Sequence, residues 1–187
     1  VFPLSDLVVS FVNRIIIGNL PPRHLPRLDF KDGLPDQLNT FVVVPTLFFN
    51  EAGVKEQVAQ MEIRYLSNPD RHVRFALLSD WADADQETTA GDERLLNTAI
   101  TAIAGLNAKH AAQSEQHFYI FHRKRLWNPS EGKWMGWERK RGKLHEFNQL
   151  LRGAINTSFL PLNDQAALTQ LKVCYVITLD ADTKMPM

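Results

Sequence analysis

The chain of 187 residues carries 21 basic and 21 acidic side chains, a formal net charge of zero, and 44% hydrophobic residues. That is the composition of an ordinary globular domain with enough length for a sizeable core, and neutrality argues against a general nucleic-acid binder, which needs a basic excess. The single cysteine, Cys174, excludes an internal disulfide or a Cys-rich zinc site and points to a reducing compartment.

In chain order, residues 1–38 read as an arm. Leu4, Leu7, Val8, Phe11, Val12 and Ile15 recur at helical spacing, which predicts an amphipathic helix over 5–17 ended by Gly18. Such a helix packs on its own domain, a membrane or a neighbouring domain. Pro21, Pro22, Pro26 and Pro35 then favour extended backbone. No apolar run reaches the roughly 20 residues a membrane span needs, and residues 1–17 lack the pattern of a signal peptide. The start at Val1 and stop at Met187 read as a piece of a longer protein.

From residue 39 the pattern alternates. Phe41–Val44, Phe75–Ser79, Phe118–Phe121 and Val173–Leu179 read as buried strands. Between them lie helical stripes: Val54, Val58, Met61 and Tyr65; Leu95, Leu96, Ala99, Ile103 and Leu106; Leu144, Phe147, Leu150 and Leu151. Thr89-Ala90-Gly91-Asp92 fits a capping box at the start of the second helix. Alternating strands and helices predict an α/β fold, a mostly parallel Rossmann-like sheet flanked by helices. Residues 39–187 then form one α/β unit, which stops shortly after the acidic pair at 180–182.

Ligands of such sheets bind beyond the carboxyl ends of the strands. There the sequence puts Pro45-Thr46, Asp80, His122-Arg123 and Asp180-Ala181-Asp182. Two aspartates one residue apart after a buried strand suit a hard divalent cation that also meets phosphate. A haloacid-dehalogenase-type phosphatase would need D-x-D-x-T/V, but Thr183 comes one place early and Lys184 stands where it should be. Asp80 can accept a hydrogen bond from a base N–H or a ribose hydroxyl, or cap the following turn. The other acids of residues 80–93 read as a solvated loop and helix start.

The run from Arg123 to Lys143 holds eight basic residues and two acids, with Trp127, Trp134 and Trp137 interleaved. Basic residues with aromatics suit single-stranded nucleic acid or a polysaccharide. A run leading into Arg141-Gly142-Lys143 at a helix start suits a diphosphate. A solvated basic loop is the plain alternative. No histidine pairs at metal-ligand spacing, and Ser79 and Cys174 sit in strands without a nucleophile elbow, as core residues.

Together, Val42-Val43-Val44-Pro45-Thr46, Asp80, Gly142-Lys143-x-x-Glu146-x-Asn148 and Leu179-Asp180-Ala181-Asp182-Thr183 resemble the processive glycosyltransferases of GT-A fold. More narrowly, WMGWERKRGKLHE at 134–146 and YVITLDADT at 175–183 resemble the glycosyltransferase domain of cyclic β-1,2-glucan synthases, a resemblance that covers residues 1–187. It implies the donor-binding half of a GT-A fold, UDP-glucose as donor, a β-1,2-glucan acceptor, and Mg²⁺ or Mn²⁺ as cofactor. It implies inverting chemistry and no nucleic-acid partner. It also implies a place on the cytoplasmic face of a bacterial inner membrane, within a membrane-embedded multidomain synthase.

By the same resemblance, Asp80 meets the uridine, and Pro45, Thr46 and Glu51 line the nucleotide pocket, with Phe48 and Phe49 as extra residues before Asn50-Glu51. Arg141 and Lys143 face the diphosphate. Asp182 binds the metal, and Asp180 touches ribose or metal. The catalytic base and the acceptor-binding signature are expected beyond Met187, so the isolated chain should bind donor weakly and transfer no glucose. The alternatives are a D-x-D phosphatase-like hydrolase and a basic-aromatic binding module.

Overall fold

In a computed structural model, residues 2–19, 33–35, 37–111 and 116–181 are described. Pro21, Pro22 and Pro26 of the arm, and Asp182, Thr183 and Lys184 beyond the last strand, lie outside them. The chain divides into two units, Val1–Asp32 and Gly33–Met187. In the first, α1 runs Phe2–Asn19, longer at both ends than the apolar spacing predicts. Gly18 lies inside it, because one glycine costs a helix only about 1 kcal/mol. Among the described residues no helix is long and apolar enough to cross a membrane.

The second unit is an α/β sandwich in the Rossmann-like manner. Strands β1 (Thr40–Phe48), β2 (Val73–Trp81), β3 (Phe118–Arg123) and β6 (Tyr175–Thr178) form one parallel sheet in the order β3-β2-β1-β6. The four strands read from the sequence are therefore neighbours in one sheet. β1 and β2 are the central pair, and their apolar runs are continuous because both of their faces are covered.

Alternate residues feed two cores. Val42, Val44, Phe75 and Leu77 pack with Val54, Val58 and Met61 of α2 (Glu51–Ser67) and Ile103 of α3 (Asp92–Lys109). Phe41, Val43, Ala76, Leu78 and Phe121 face the other way. They meet Phe147 of α4 (Arg139–Leu151) and Leu168 of α5 (Gln165–Gln170). Phe41 holds edge-to-face contacts to Phe121 and Phe147 at 6.2 and 5.7 Å between ring centroids, the favoured aromatic geometry.

Four features differ from the sequence reading. β6 is shorter than the expected 173–179 and mostly exposed rather than buried, because it stands at the end of the strand order. β1 runs on through Pro45 and Thr46 to Phe48. The β6 ladder stops at Val43, and beyond it a residue without an N–H fits the strand. The basic run contains an antiparallel hairpin, β4 (Leu126–Asn128) and β5 (Lys133–Met135), turned through Gly132 at φ +62°. Finally, Cys174 is exposed just before β6, its thiol donating to the Gln37 carbonyl at 2.9 Å.

Candidate functional site

A cavity of about 470 Å³ opens at the carboxyl ends of β1 and β2, where the sheet topology calls for a ligand. Pro45, Thr46, Asp80 and Lys143 line it, with Arg139 and Lys140 from the first turn of α4, Asn50 and Gly53 from the start of α2, and Ala181 after β6. Asn50 shapes that wall by capping α2, its side-chain oxygen accepting from the Gly53 N–H at 2.8 Å.

The floor is a buried charge quartet. Asp80, 2% exposed, and Arg123, fully buried, are register partners on β2 and β3. The Arg123 guanidinium grips the carboxylate at both oxygens, Nε to Oδ1 at 2.7 Å and Nη2 to Oδ2 at 2.9 Å. Its Nη1 donates to Glu146 Oε1 at 3.2 Å. Lys143, 2% exposed, places Nζ 3.0 Å from Asp80 Oδ2 and donates to the Thr46 carbonyl at 2.6 Å. Glu146 Oε2 in turn accepts from the Ser158 N–H at 2.7 Å and hydroxyl at 2.6 Å. Two anions thus meet two cations with most of their hydrogen-bonding capacity used, the condition under which buried charges are tolerated. Burial pushes the Lys143 ammonium below its ordinary range, opposed by the neighbouring Asp80 carboxylate.

Arg123 also fixes the backbone. Its Nη1 donates to the Trp137 carbonyl and its Nη2 to the Arg139 carbonyl, each at 3.0 Å. Between those residues Glu138 and Arg139 adopt φ +50° and +45°, the left-handed region that non-glycine residues rarely take. Two glycines make room. A Cβ on Gly136 would lie 2.6 Å from Asp80 Oδ2, and one on Gly142 would lie 2.2 Å from the Trp137 carbonyl oxygen. The start of α4 is therefore pressed onto the charge quartet, and only glycine fits at either contact.

Several expected site residues meet at this cavity: Pro45, Thr46, Asp80 and Lys143. Others stand apart from its lining. Glu51 pairs with Arg94 of α3 at 2.7 Å, and Arg141 pairs with Glu138 at 2.9 Å. Asp180 is exposed at the end of β6 and forms an ion pair with Lys140 at the cavity rim. Asp182 lies outside the described residues. Among the described residues no three His, Cys, Asp or Glu side chains gather as a metal centre. Asp180 offers the hard oxygen that Mg²⁺ or Mn²⁺ prefers.

The sequence places Arg123 at a strand end and Glu146 in the motif after Lys143 but gives neither a role. The signal was a charged residue ending an apolar strand, but it pairs with Asp80 only once β2 and β3 are known to be neighbours. The loop 80–93 is also less solvated than it reads. Asp92 is buried, where Arg125 Nη2 meets it at 3.1 Å. Burial works to raise the Asp92 carboxyl, but hydrogen bonds from Arg125 and Thr89 outweigh it and hold the group below its usual range. The expected capping box does not form: the N-cap of α3 is Gly91, without a side-chain cap, and the Thr89 N–H and hydroxyl both donate to the Asp92 carboxylate, at 2.8 and 2.7 Å. Arg125 also donates to the Ala82 carbonyl at 2.8 Å and lies 5.6 Å over the Trp81 ring.

A parallel sheet flanked by helices, with a cavity lined by charged side chains at the ends of its central strands, defines an α/β protein of the Rossmann-like class. The chain is 44% identical over 183 residues, 98% of its length, to cyclic beta-(1,2)-glucan synthase NdvB of Rhizobium meliloti (strain 1021), and it spans about 6% of that protein's length. The similarity to a segment of such a synthase bears out the resemblance carried by the motifs at 134–146 and 175–183. No protein-family model matches the chain.

Proposed function

We propose that the chain is the donor-binding part of a cyclic β-1,2-glucan synthase with a GT-A-type domain, and that the cavity at the ends of β1 and β2 takes UDP-glucose. The observation that carries this reading is the buried Asp80–Arg123–Lys143–Glu146 quartet flooring that cavity, in a chain so similar to a glucan synthase segment. A carboxylate fixed at both oxygens is a rigid acceptor edge for a base or ribose, and rigidity lowers the ordering cost of binding. Pro45 and Thr46 offer the wall beside it, and Asp180 a contact for ribose or metal.

The diphosphate lies over the first turn of α4. Lys143 lends charge from below, but its ammonium is held by Asp80 and Thr46. Lys140, half exposed on the rim, is the cation free to turn toward phosphate once Asp180 engages elsewhere. Arg139 is anchored to Asp83 and Glu131 at 3.0 and 2.9 Å, so it shapes the rim. A divalent ion held by Asp180 and Asp182 would neutralise charge developing on the leaving diphosphate. Transfer from an α-linked donor to a β-linked product inverts the anomeric carbon, with a glucan hydroxyl attacking opposite the departing UDP. The domain belongs on the cytoplasmic face of the inner membrane, where UDP-glucose is made.

Calorimetric titration with UDP, with and without Mn²⁺, tests the reading. UDP is expected to bind more tightly with metal in the wild type, and Asp182→Asn and Asp180→Asn should each remove most of that gain. A metal gain that survives both substitutions would place the ion elsewhere and overturn the assignment.

A further inference from the structure

Beside the donor cavity lies a second one of about 510 Å³, formed by the β4–β5 hairpin and the start of α4. Trp127 and Trp137 line it and remain 50% and 48% exposed. Half-exposed indoles fixed in place at a cleft are costly to leave in water, and they bury large area when a ligand covers them. Both are held. Trp127 pairs across the hairpin with Trp134, ring centroids 5.9 Å apart. The hairpin is itself tied to the loop after β2 by paired backbone hydrogen bonds between Trp134 and Ala84, at 2.9 and 3.0 Å. Trp137 is locked by its carbonyl to Arg123 and by its ring against Gly142, in the strained left-handed segment. Strain of this kind gathers at functional sites.

The polar lining selects among ligands. Glu131, Glu138 and the Asn128 amide face the cleft, and its one lining cation, Arg139, is already paired with Glu131. Three arginines of this basic run are engaged by acids: Arg123 by Asp80, Arg125 by Asp92 and Arg141 by Glu138. A polyanion would find no surplus cation in the lining, since its two carboxylates and the arginines beside them balance each other. A neutral sugar chain fits, because each pyranose ring has an apolar C–H face for an indole and hydroxyls for carboxylate and amide. Arg139 lines both cavities, so a chain seated in the cleft approaches the donor site.

We propose that the Trp127–Trp137 cleft is a saccharide subsite that holds glucosyl units of the β-1,2-glucan next to the donor cavity. The identity of the glycan rests on the proposed function; the cleft's preference for a neutral sugar does not. Calorimetric titration of the full chain with a β-1,2-linked glucohexaose, cellohexaose, a single-stranded RNA and UDP tests it. The hexaose is expected to bind saturably, and Trp127→Ala and Trp137→Ala to weaken it about tenfold each. Trp127→Phe should restore most of the loss, and UDP affinity in the Trp127 variants should stay at the wild-type value, which also certifies their folding. Hexaose binding insensitive to both alanine substitutions, no hexaose binding by a chain that binds UDP, or tighter binding of RNA would overturn the subsite. Preference for cellohexaose would support the cleft while refuting the β-1,2 assignment. Hexaose binding without UDP binding would support the cleft and count against the donor reading alone.

Discussion

Arg123 makes five side-chain hydrogen bonds from a fully buried position, two to Asp80, one to Glu146 and two to backbone carbonyls. Arg123→Leu would leave Glu146 without its cation and Asp80 with only Lys143. Breaking a buried pair in this way costs about 3–5 kcal/mol, read as a lower urea midpoint. An effect under about 1 kcal/mol would show that the quartet is not the keystone argued above. Its neighbour His122, fully buried, stacks on Phe48 and shares a 2.7 Å hydrogen bond between Nδ1 and Ser79 Oγ. Burial holds its imidazole at about 3, far below the ordinary 6.5. The unfolded chain therefore binds this proton first, and stability falls as pH drops below about 6.5. Between pH 7 and pH 5 the loss from this group is about 2 kcal/mol. Denaturation of wild type and His122→Asn at both pH values should show that pH dependence shrink in the variant; equal slopes would assign it to the carboxylates.

The start of α4 is the element on which both cavities depend. Gly142→Ala would drive a methyl group into the Trp137 carbonyl and ring, at a cost of about 1–3 kcal/mol, and should lower UDP affinity along with melting temperature. A variant as stable as wild type would mean that the Trp137 segment can shift. How legible these elements were follows from their periodicity. β1, β2 and β3 and helices α2 and α3 carry strong apolar patterns, so the parallel sheet is readable from the sequence, while its strand order is not. The hairpin was not. Leu126-Trp127-Asn128 and Lys133-Trp134-Met135 are three residues each, too short to show alternation, and their lysines and arginines read as a charge run. The turn Pro129-Ser130-Glu131-Gly132 was the available signal. α5, of six residues, was too short for a stripe.

At the scale of the whole chain, the carboxyl-end rule for parallel sheets points to the strand ends where the cavity lies. It placed Pro45, Thr46 and Asp80 together correctly, because the strands of a parallel sheet all end on the same side. It could not distribute the charges. Lys143 looked like a free phosphate ligand by its place after Gly142, and only packing reveals that its ammonium is turned inward to Asp80 and Thr46. Asp180, by contrast, stays exposed beside Lys140.

The central claim, that the cavity above the quartet takes a nucleoside diphosphate, is tested most directly by comparing UDP with uridine by calorimetry in wild type, Lys140→Ala and Lys143→Ala. A charge-assisted contact contributes about 1.5–3 kcal/mol, so UDP should bind about ten- to a hundredfold more tightly than uridine. Lys140→Ala should erase much of that difference while leaving uridine unchanged, and Lys143→Ala should weaken both ligands together through Asp80. Equal affinity of the wild type for UDP and uridine, or saturable binding of neither, would contradict the account.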